Sequence, residues 1–140
     1  MRVKDWMTPN PLTLTEQDKV KTAVVHVLRN RIRHVPIVRD GKIVGIVTDR
    51  DLKRALPSVV AGTTPDEYQS FMDNTTLNEI MTQDPIVISP DADILEAVRI
   101  FVEHKFGALP VVENGQLVAI ISQTDALRAF LKVLEDLGDK

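Results

Sequence analysis

The stretches Gly45–Asp51 (GIVTDRD) and Ala119–Asp125 (AIISQTD) decide the fold, because they are two copies of one pattern. Each contains a small residue, two apolar residues, a hydroxyl residue, two variable residues and an aspartate. A hydroxyl at a helix N-cap, followed three positions later by an acidic residue, forms a capping box, here with Asp in place of the usual Glu. The two stretches therefore predict two junctions at which a strand passes directly into a helix.

The rest of the chain repeats with the same offset of 74 residues. Residues Met7–Ala55 align with Met81–Ala129 without a gap, and 13 of the 49 aligned pairs are identical. One such copy is too small to bury a stable core, so we expect the two copies to pack together. The first repeat is assigned to residues 1–56, a linker to 57–76 and the second repeat to 77–140.

Each copy predicts the same order of elements. Apolar residues recur at helical spacing over Val20–Leu28 and again over Ile94–Val102, which indicates an amphipathic helix after an extended segment. A short apolar strand follows, and then Asp40-Gly41 or Asn114-Gly115, which is a strong signal for a β-hairpin. With the helix after the hairpin, each copy is strand–helix–strand–strand–helix, and the fold class is α+β.

The linker predicts a further short amphipathic helix over about 65–73. Pro65 suits the first helical position, and Tyr68, Phe71 and Met72 share one face. Two interpretations remain open at this point: the helix patches the core, or it serves as a lid or a dimer contact.

The composition excludes several classes of protein. Hydrophobic residues make up 44% and charged residues 26%, which is ordinary for a globular chain. No apolar run reaches the ~18–20 residues of a membrane-spanning helix, and Asp5 and Trp6 interrupt any N-terminal signal peptide, so we expect a cytoplasmic protein without a membrane partner. The absence of cysteine excludes disulfides, thiolate metal sites and a cysteine nucleophile. A net charge of −3 argues against a nucleic-acid partner.

Two interpretations of the hydroxyl–x–x–Asp motif are open. In the structural one, Thr48 with Asp51 and Ser122 with Asp125 only cap a helix. In the functional one, the hydroxyl and the helix N-terminus bind phosphate, while the carboxylate accepts hydrogen bonds from ribose hydroxyls. The small residue that starts each motif would then let a flat ring approach the strand.

The whole repeat resembles the cystathionine beta-synthase (CBS) domain. The resemblance rests on Met-Thr-x-x-Pro at Met7 and Met81, the amphipathic helix, the proline-containing strand, the glycine turn and the final small–apolar–apolar–hydroxyl–x–x–Asp motif. It covers residues from about Val3 to Leu131, and Ala119 in place of Gly is a mild departure. CBS domains occur as tandem pairs about a pseudo-twofold axis, called Bateman modules. The opening motif and the spacer are also similar to the CBS pair of acetoin-utilization-type regulatory proteins.

The resemblance implies a ligand sensor rather than an enzyme. Bateman modules resemble sensors of adenine nucleotides (AMP, ADP or ATP) or S-adenosylmethionine that regulate an attached or separate protein. We therefore expect a regulatory adenosyl ligand, no required cofactor, no catalytic residue, no metal site and an effector protein that is still unknown.

The resemblance also implies two clefts, each combining the motif of one copy with segments of the other. The first would use Ile46, Thr48, Asp51, Met81, Thr82, Pro85, Phe106, Gly107 and Ala108. The second would use Ile120, Ser122, Asp125, Met7, Thr8, Pro11, Ile32, Arg33 and His34. Arg33 and His34 make the second cleft the better furnished for phosphates, although the basic residues around them also fit a solvated surface.

Two further hypotheses stay open beside the sensor. The pair could be a structural or dimerisation module with vacant clefts, or an enzyme that processes nucleotides. The enzyme hypothesis lacks a glycine-rich phosphate loop with lysine and a carboxylate cluster for Mg²⁺. We also expect a homodimer, because family modules resemble discs of two pairs and because several apolar side chains cannot all point into one small core: Val24, Val27, Phe101, Tyr68 and Phe71.

Overall fold

The computed structural model describes residues 1–58 and 60–139. It is a mixed α+β chain with two similar repeats, as the sequence predicts. The elements are β1 (Thr8–Pro9), α1 (Val20–Asn30), β2 (His34–Arg39), β3 (Lys42–Thr48), α2 (Asp49–Ala55), α3 (Pro65–Asn74), β4 (Thr82–Gln83), α4 (Ile94–His104), β5 (Ala108–Glu113), β6 (Gln116–Ser122) and α5 (Gln123–Gly138). Short 3₁₀ turns at Val3–Asp5 and Leu77–Glu79 precede β1 and β4.

The chain folds into two compact units that do not coincide with the sequence repeats. The N-terminal unit is Leu12–Asp84, and the C-terminal unit combines Met1–Pro11 with Pro85–Lys140. Each unit has a three-stranded antiparallel sheet, with strand order β2-β3-β4 in the first and β5-β6-β1 in the second. The short strand that opens each repeat therefore pairs with the hairpin of the other repeat.

The two hairpins have the turn that their sequences predict. Asp40 and Gly41 have φ values of 53° and 79°, and Asn114 and Gly115 have 53° and 78°. Positive φ at both central residues is the type I′ arrangement, whose twist matches that of the flanking strands. Each turn fixes the register of its hairpin, so that the first residue of one strand lies opposite the last residue of the next.

Each unit has its own apolar core, built from the helix stripe and the inner faces of the strands. The fully buried side chains of the N-terminal unit include Val20, Ala23, Val35, Ile37, Val47 and Leu77. Those of the C-terminal unit include Val3, Ala97, Leu109, Val111, Ala119 and Ile121. Phe71 and Met72 of α3 pack against the first of these cores, which favours the core-patch interpretation of the linker helix.

The expectation that these apolar side chains need a dimer to be buried is partly wrong. Phe101 is only 6% exposed and belongs to the core of the C-terminal unit, while Val24, Val27 and Phe71 pack against the core of the N-terminal unit. An apolar stripe in the sequence shows which side chains of a helix are buried together. It does not show whether they are buried in the core of their own unit or against another chain. Among the residues described, no helix has both the length and the apolar character that crossing a membrane requires.

Candidate functional site

The Thr48–Asp51 motif forms a complete capping box at the start of α2. The Thr48 hydroxyl accepts a hydrogen bond from the Asp51 backbone N–H at 3.1 Å, and the Thr48 N–H donates to Asp51 Oδ2 at 2.9 Å. Both residues are half-buried. These two bonds leave Asp51 Oδ1 without a partner among the described residues, so one carboxylate oxygen of the motif is available to a ligand.

Strand pairing decides what lies beside this motif. His34 at the start of β2 is the register partner of Thr48 at the end of β3, and the Asp49 N–H donates to the Arg33 carbonyl at 3.0 Å. Arg33 is exposed and His34 is half-buried. The half-buried Ile32 precedes them and packs against the core of the N-terminal unit.

This placement concerns Ile32, Arg33 and His34, which the resemblance assigns to the cleft of the Ser122–Asp125 motif. In the structure their hydrogen-bonded neighbours belong to the Thr48–Asp51 junction. The reason is the hairpin: a two-residue turn forces the start of its first strand to lie beside the end of its second strand.

The same rule places the equivalent segment of the second repeat. Ala108 is the register partner of Ser122, and the Gln123 N–H donates to the Gly107 carbonyl at 2.9 Å. The Gln123 side chain adds a second bond, from its Nε2 to the Phe106 carbonyl at 2.7 Å. Phe106, Gly107 and Ala108 therefore adjoin the motif of their own repeat. No pattern in the sequence signals the role of Gln123.

The Ser122–Asp125 motif forms the same capping box, but its carboxylate has more hydrogen-bond partners than that of Asp51. The Ser122 N–H donates to Asp125 Oδ2 at 2.9 Å, and the Ser122 hydroxyl accepts from the Asp125 N–H at 3.1 Å. The Thr8 hydroxyl donates to Oδ2 at 3.2 Å and lies 3.4 Å from Oδ1, and Arg128 Nη1 lies 3.3 Å from Oδ1. Asp125 is only 4% exposed. Its carboxylate is therefore held by partners inside the C-terminal unit.

The two carboxylates thus differ although their motifs align. Thr82 is the counterpart of Thr8 and Arg54 the counterpart of Arg128, yet in the part of the chain that the structure describes neither bonds to Asp51. The arginine contact was detectable from the sequence, since residues three apart on a helix are neighbours and Arg128 is three positions after Asp125.

The opening segments lie at the edges of the sheets, next to the motifs. Thr8 is the register partner of Ile120, and Thr82 is the register partner of Ile46. Pro11 is half-buried and is the last residue of the first segment of the C-terminal unit. Pro85 is the first residue of the second segment of that unit.

The small residue at position 45 has a packing role. A Cβ on Gly45 would lie 2.5 Å from Met81 Sδ and 3.0 Å from the Thr82 carbonyl oxygen. The missing side chain of Gly45 therefore makes room for the thioether of Met81 in the Met-Thr segment. In the C-terminal unit Met7 packs against the core that contains Ala119.

The electrostatics of the Thr48–Asp51 junction depend on His34. Burial lowers the pKa of its imidazole below the ordinary value; Asp49 and, more weakly, Asp51 oppose this shift, and Arg33 adds to it. Because its pKa lies below the ordinary value, His34 is largely neutral at pH 7. Among the described residues, no cluster of three His, Asp or Glu side chains is suited to hold a metal ion.

Comparisons of the sequence and of the fold with known proteins point to the same family. The family model of the CBS domain matches residues 3–58 and 77–132. The fold is similar to that of a Vibrio cholerae protein described as an acetoin utilization protein (AcuB), with a TM-score of 0.78 and 32% identity over 100% of this chain and 97% of that one. Similarity to the acetoin-utilization type, expected from the opening motif, is thus confirmed.

Two of the similar structures contain adenosyl ligands. CBSX2, a CBS-pair protein of Arabidopsis thaliana, was solved in complex with AMP; it has a TM-score of 0.78 and 27% identity over 94% of this chain and 97% of that one. The CBS domain pair of protein MJ0100 was solved with 5′-methylthioadenosine and S-adenosyl-L-methionine, with a TM-score of 0.76 and 26% identity over 93% of this chain and 95% of that one.

The lengths of the curated relatives vary widely. The chain spans 93% of a CBS domain-containing protein of Dictyostelium discoideum, at 30% identity over 95% of this chain. It spans only 15% of the A-adding tRNA nucleotidyltransferase of Aquifex aeolicus, at 32% identity. Segments similar to this chain thus occur both in a protein of similar length and as a part of a larger enzyme.

Proposed function

Because this chain belongs to the CBS domain family, we propose that it is a cytoplasmic regulatory module that senses an adenine nucleotide or a related adenosyl ligand. The AMP and S-adenosylmethionine complexes of similar CBS pairs support this ligand class. The module performs no chemical step of its own. It passes the signal to an effector protein, which fits a family whose pairs also occur inside larger enzymes.

The observation that carries the proposal is the open carboxylate oxygen of Asp51. Oδ2 is engaged by the Thr48 N–H at 2.9 Å, whereas Oδ1 has no partner among the described residues and the side chain is half-buried. A carboxylate with a free oxygen at a strand-to-helix junction suits the two hydroxyls of a ribose, because charge-assisted hydrogen bonds are short and strong. We assign the ribose contact to Asp51.

The phosphate end of the ligand is assigned to Arg33 and His34. Arg33 is exposed and offers a planar fork that binds phosphate oxygens in a bidentate manner. His34 lies opposite Thr48 and is neutral in the free protein, so a phosphate dianion that raised its pKa would gain a second cationic contact. Thr48 completes this group with its hydroxyl.

The Ser122–Asp125 motif is expected to bind the same ligand more weakly. Thr8 and Arg128 already occupy the carboxylate, so a ribose would have to displace them. The adjoining segment, Gly107-Ala108, also lacks the charge that Arg33 and His34 provide. The two motifs are therefore not equivalent sites, and we propose that occupancy of the Thr48–Asp51 site carries the signal.

A ligand panel tests the proposal. Thermal unfolding is measured with AMP, ADP, ATP, S-adenosylmethionine, 5′-methylthioadenosine, NAD and a cyclic dinucleotide. A ligand present at 100 times its Kd stabilises the native state by about 2.7 kcal/mol, which for a chain of this size raises Tm by roughly 5–10 °C. We expect a rise with at least one adenosyl ligand, and none with guanosine or cytidine controls. No rise with any adenosyl ligand would favour the structural module with vacant clefts.

A second assay separates sensing from catalysis. Each stabilising ligand is incubated with the protein and recovered by chromatography after several hours. The sensor hypothesis expects the ligand unchanged, whereas conversion that depends on the protein would favour the nucleotide-processing enzyme.

A further inference from the structure

Six basic side chains of the N-terminal unit lie exposed around the place where β2 and α2 begin. We call them the cationic patch: Arg29, Arg31, Arg33, Arg50, Lys53 and Arg54. Among the residues that the structure describes, none of the six forms an ion pair with a carboxylate, whereas five other basic residues do: Lys4, Lys21, Arg39, Arg128 and Lys132. The patch is therefore a concentration of uncompensated positive charge.

The fold brings the members of the cationic patch together. Arg33 adjoins the start of α2, because the Asp49 N–H donates to the Arg33 carbonyl at 3.0 Å. Arg50, Lys53 and Arg54 share one face of α2, since residues three and four apart on a helix are neighbours. The other two members precede Arg33 by four residues or fewer, and four residues of chain span at most about 14 Å.

Local structure does not account for this charge. The two carboxylates beside the patch, Asp49 and Asp51, are half-buried and already accept backbone hydrogen bonds, from the Arg50 N–H at 2.9 Å and from the Thr48 N–H at 2.9 Å. Like charges three and four residues apart destabilise a helix. The three cations on the outer face of α2 are therefore not explained by the stability of that helix.

The second repeat shows that the fold does not require the cationic patch. The six aligned positions of that repeat are occupied by Glu103, Lys105, Gly107, Thr124, Leu127 and Arg128. Only two of these residues are basic, and Arg128 lies 3.3 Å from the Asp125 carboxylate. Because both repeats form the same elements, the charge serves a purpose that is specific to the first repeat. An exposed surface of one charge sign suits a partner of the opposite sign.

The distribution of charge along the chain favours a short acidic segment over a nucleic acid as this partner. Residues 29–54 carry eight Lys and Arg against three Asp, whereas the rest of the chain carries nine Lys and Arg against 17 Asp and Glu. A long polyanion such as RNA would reach beyond the patch into the field of this acidic remainder and be repelled by it. A segment of about a dozen residues contacts the patch alone.

We propose that the cationic patch is the docking surface of the effector protein, which binds it through an exposed segment rich in Asp and Glu. This inference rests on the proposed function, because it names the chemistry of the effector. Arg33 belongs both to the patch and to the residues assigned to the ligand phosphate, so a phosphate at Arg33 neutralises one of the six charges. Ligand binding therefore weakens docking, and docking weakens ligand binding by the same factor.

The first measurement is a titration of the isotope-labelled chain, followed by two-dimensional amide NMR, with a peptide of about twelve residues in which Glu and Ser alternate. Exposed ion pairs are individually weak, so we expect a Kd on the order of 100 µM at low salt. The largest shifts should fall on the amides of the patch, and binding should weaken as salt is added. A peptide with Gln in place of Glu is the matched control and should not bind.

The second measurement repeats the titration with charge-reversed variants. Lys53→Glu/Arg54→Glu changes two members of the patch that are not assigned to the ligand, and should raise the peptide Kd at least about tenfold. Its Kd for AMP should stay within about twofold of wild type. Arg99→Glu/Lys105→Glu reverses two exposed charges of the second repeat as the matched control, and should leave the peptide Kd within about twofold. If acidic residues at the end of α2 unfold the chain, Lys53→Gln/Arg54→Gln removes the same two charges and should raise the peptide Kd about threefold.

Several outcomes would overturn the proposal. No peptide binding up to about 2 mM, shifts centred outside the patch, or equal binding by wild type and the patch variants excludes this docking surface. Tighter binding of an RNA of about twelve uridines than of the peptide would assign the patch to nucleic acid instead.

The link to the ligand is tested on the same samples. Saturating AMP should raise the peptide Kd about two- to fivefold, and an unchanged Kd with AMP bound would exclude the patch as the route of the signal. AMP is also titrated without peptide, which separates this inference from the proposed function. AMP binding without peptide binding contradicts only the docking surface, whereas peptide binding without AMP binding contradicts the sensor and leaves the docking surface standing.

Discussion

Removal of the Asp51 carboxylate separates the structural role of the motif from its proposed role in binding. In Asp51→Ala the Thr48 N–H loses its acceptor at 2.9 Å, while the Thr48 hydroxyl still accepts from the backbone N–H of residue 51. Since half of the capping box remains, the free energy of unfolding should fall by about 0.5–2 kcal/mol. Asp51→Asn preserves the shape of the side chain and provides the matched control for charge alone.

The effect on binding should be larger than the effect on stability. Hydrogen bonds to a charged group contribute about 1.5–3 kcal/mol, so the loss of the ribose contact weakens the ligand by roughly 10- to 150-fold. Asp125→Ala should show the opposite balance. The Asp125 carboxylate is 4% exposed and bonded by Ser122, Thr8 and Arg128, so its removal should cost about 2–3 kcal/mol of stability with less than about twofold change in affinity.

Two assays on the same preparations decide between these expectations. Urea denaturation gives the free energies of unfolding, and isothermal titration calorimetry with AMP gives the affinities. Both variants must be folded at the temperature of titration. Unchanged affinity in Asp51→Ala would refute the ribose assignment, and a tenfold loss in Asp125→Ala would refute the inequality of the two sites.

Three further predictions concern the N-terminal unit. Arg33→Ala should weaken ATP and ADP more than AMP, with a difference that shrinks in high salt; equal losses in calorimetric titrations would contradict a phosphate contact. Gly45→Ala should lower the free energy of unfolding by about 1–3 kcal/mol, because its Cβ would meet Met81 Sδ at 2.5 Å, and wild-type stability in urea would refute this. Because burial lowers the pKa of His34, the unfolded chain binds a proton first as the pH falls below the ordinary value of about 6.5; stability should therefore decrease below that pH and be unaffected by this group above it. His34→Gln should flatten the decrease, and an identical pH profile for this variant and the wild type would exclude His34 as the cause.

Local structure was largely predictable, because its determinants lie close together in the sequence. Asp40-Gly41 and Asn114-Gly115 accept positive φ and so predict their hairpins. The Ser122–Asp125 pattern predicted a capping box, and the structure contains it. Helix bounds differ by one or two residues from the prediction, as at α3, which ends at Asn74 rather than at Asp73.

The exchange of opening segments between the repeats was harder to predict from the sequence. A strand of two residues carries no periodicity, and its place at the edge of β6 depends on which sheet offers an unpaired strand. The resemblance supplied this exchange for Thr8 and Thr82. The hairpin turn alone is sufficient to place His34 opposite Thr48, so this pairing was predictable from the sequence.

The roles of single side chains depended most on tertiary packing. The approach of Met81 Sδ to Gly45 could not be predicted, because no sequence pattern shows which side chain approaches a glycine. The difference between Asp51 and Asp125 was hidden for the same reason: their motifs align, and only the contacts of Thr8 and Arg128 distinguish them.

The assignment of the ribose contact to Asp51 is tested most directly by a crystal structure of the chain, from crystals grown with saturating AMP. We expect the two ribose hydroxyls within hydrogen-bonding distance of the Asp51 carboxylate, with the phosphate directed at Arg33 and His34. Nucleotide density with its ribose on Asp125 alone, or no nucleotide at all at saturating concentration, would contradict it.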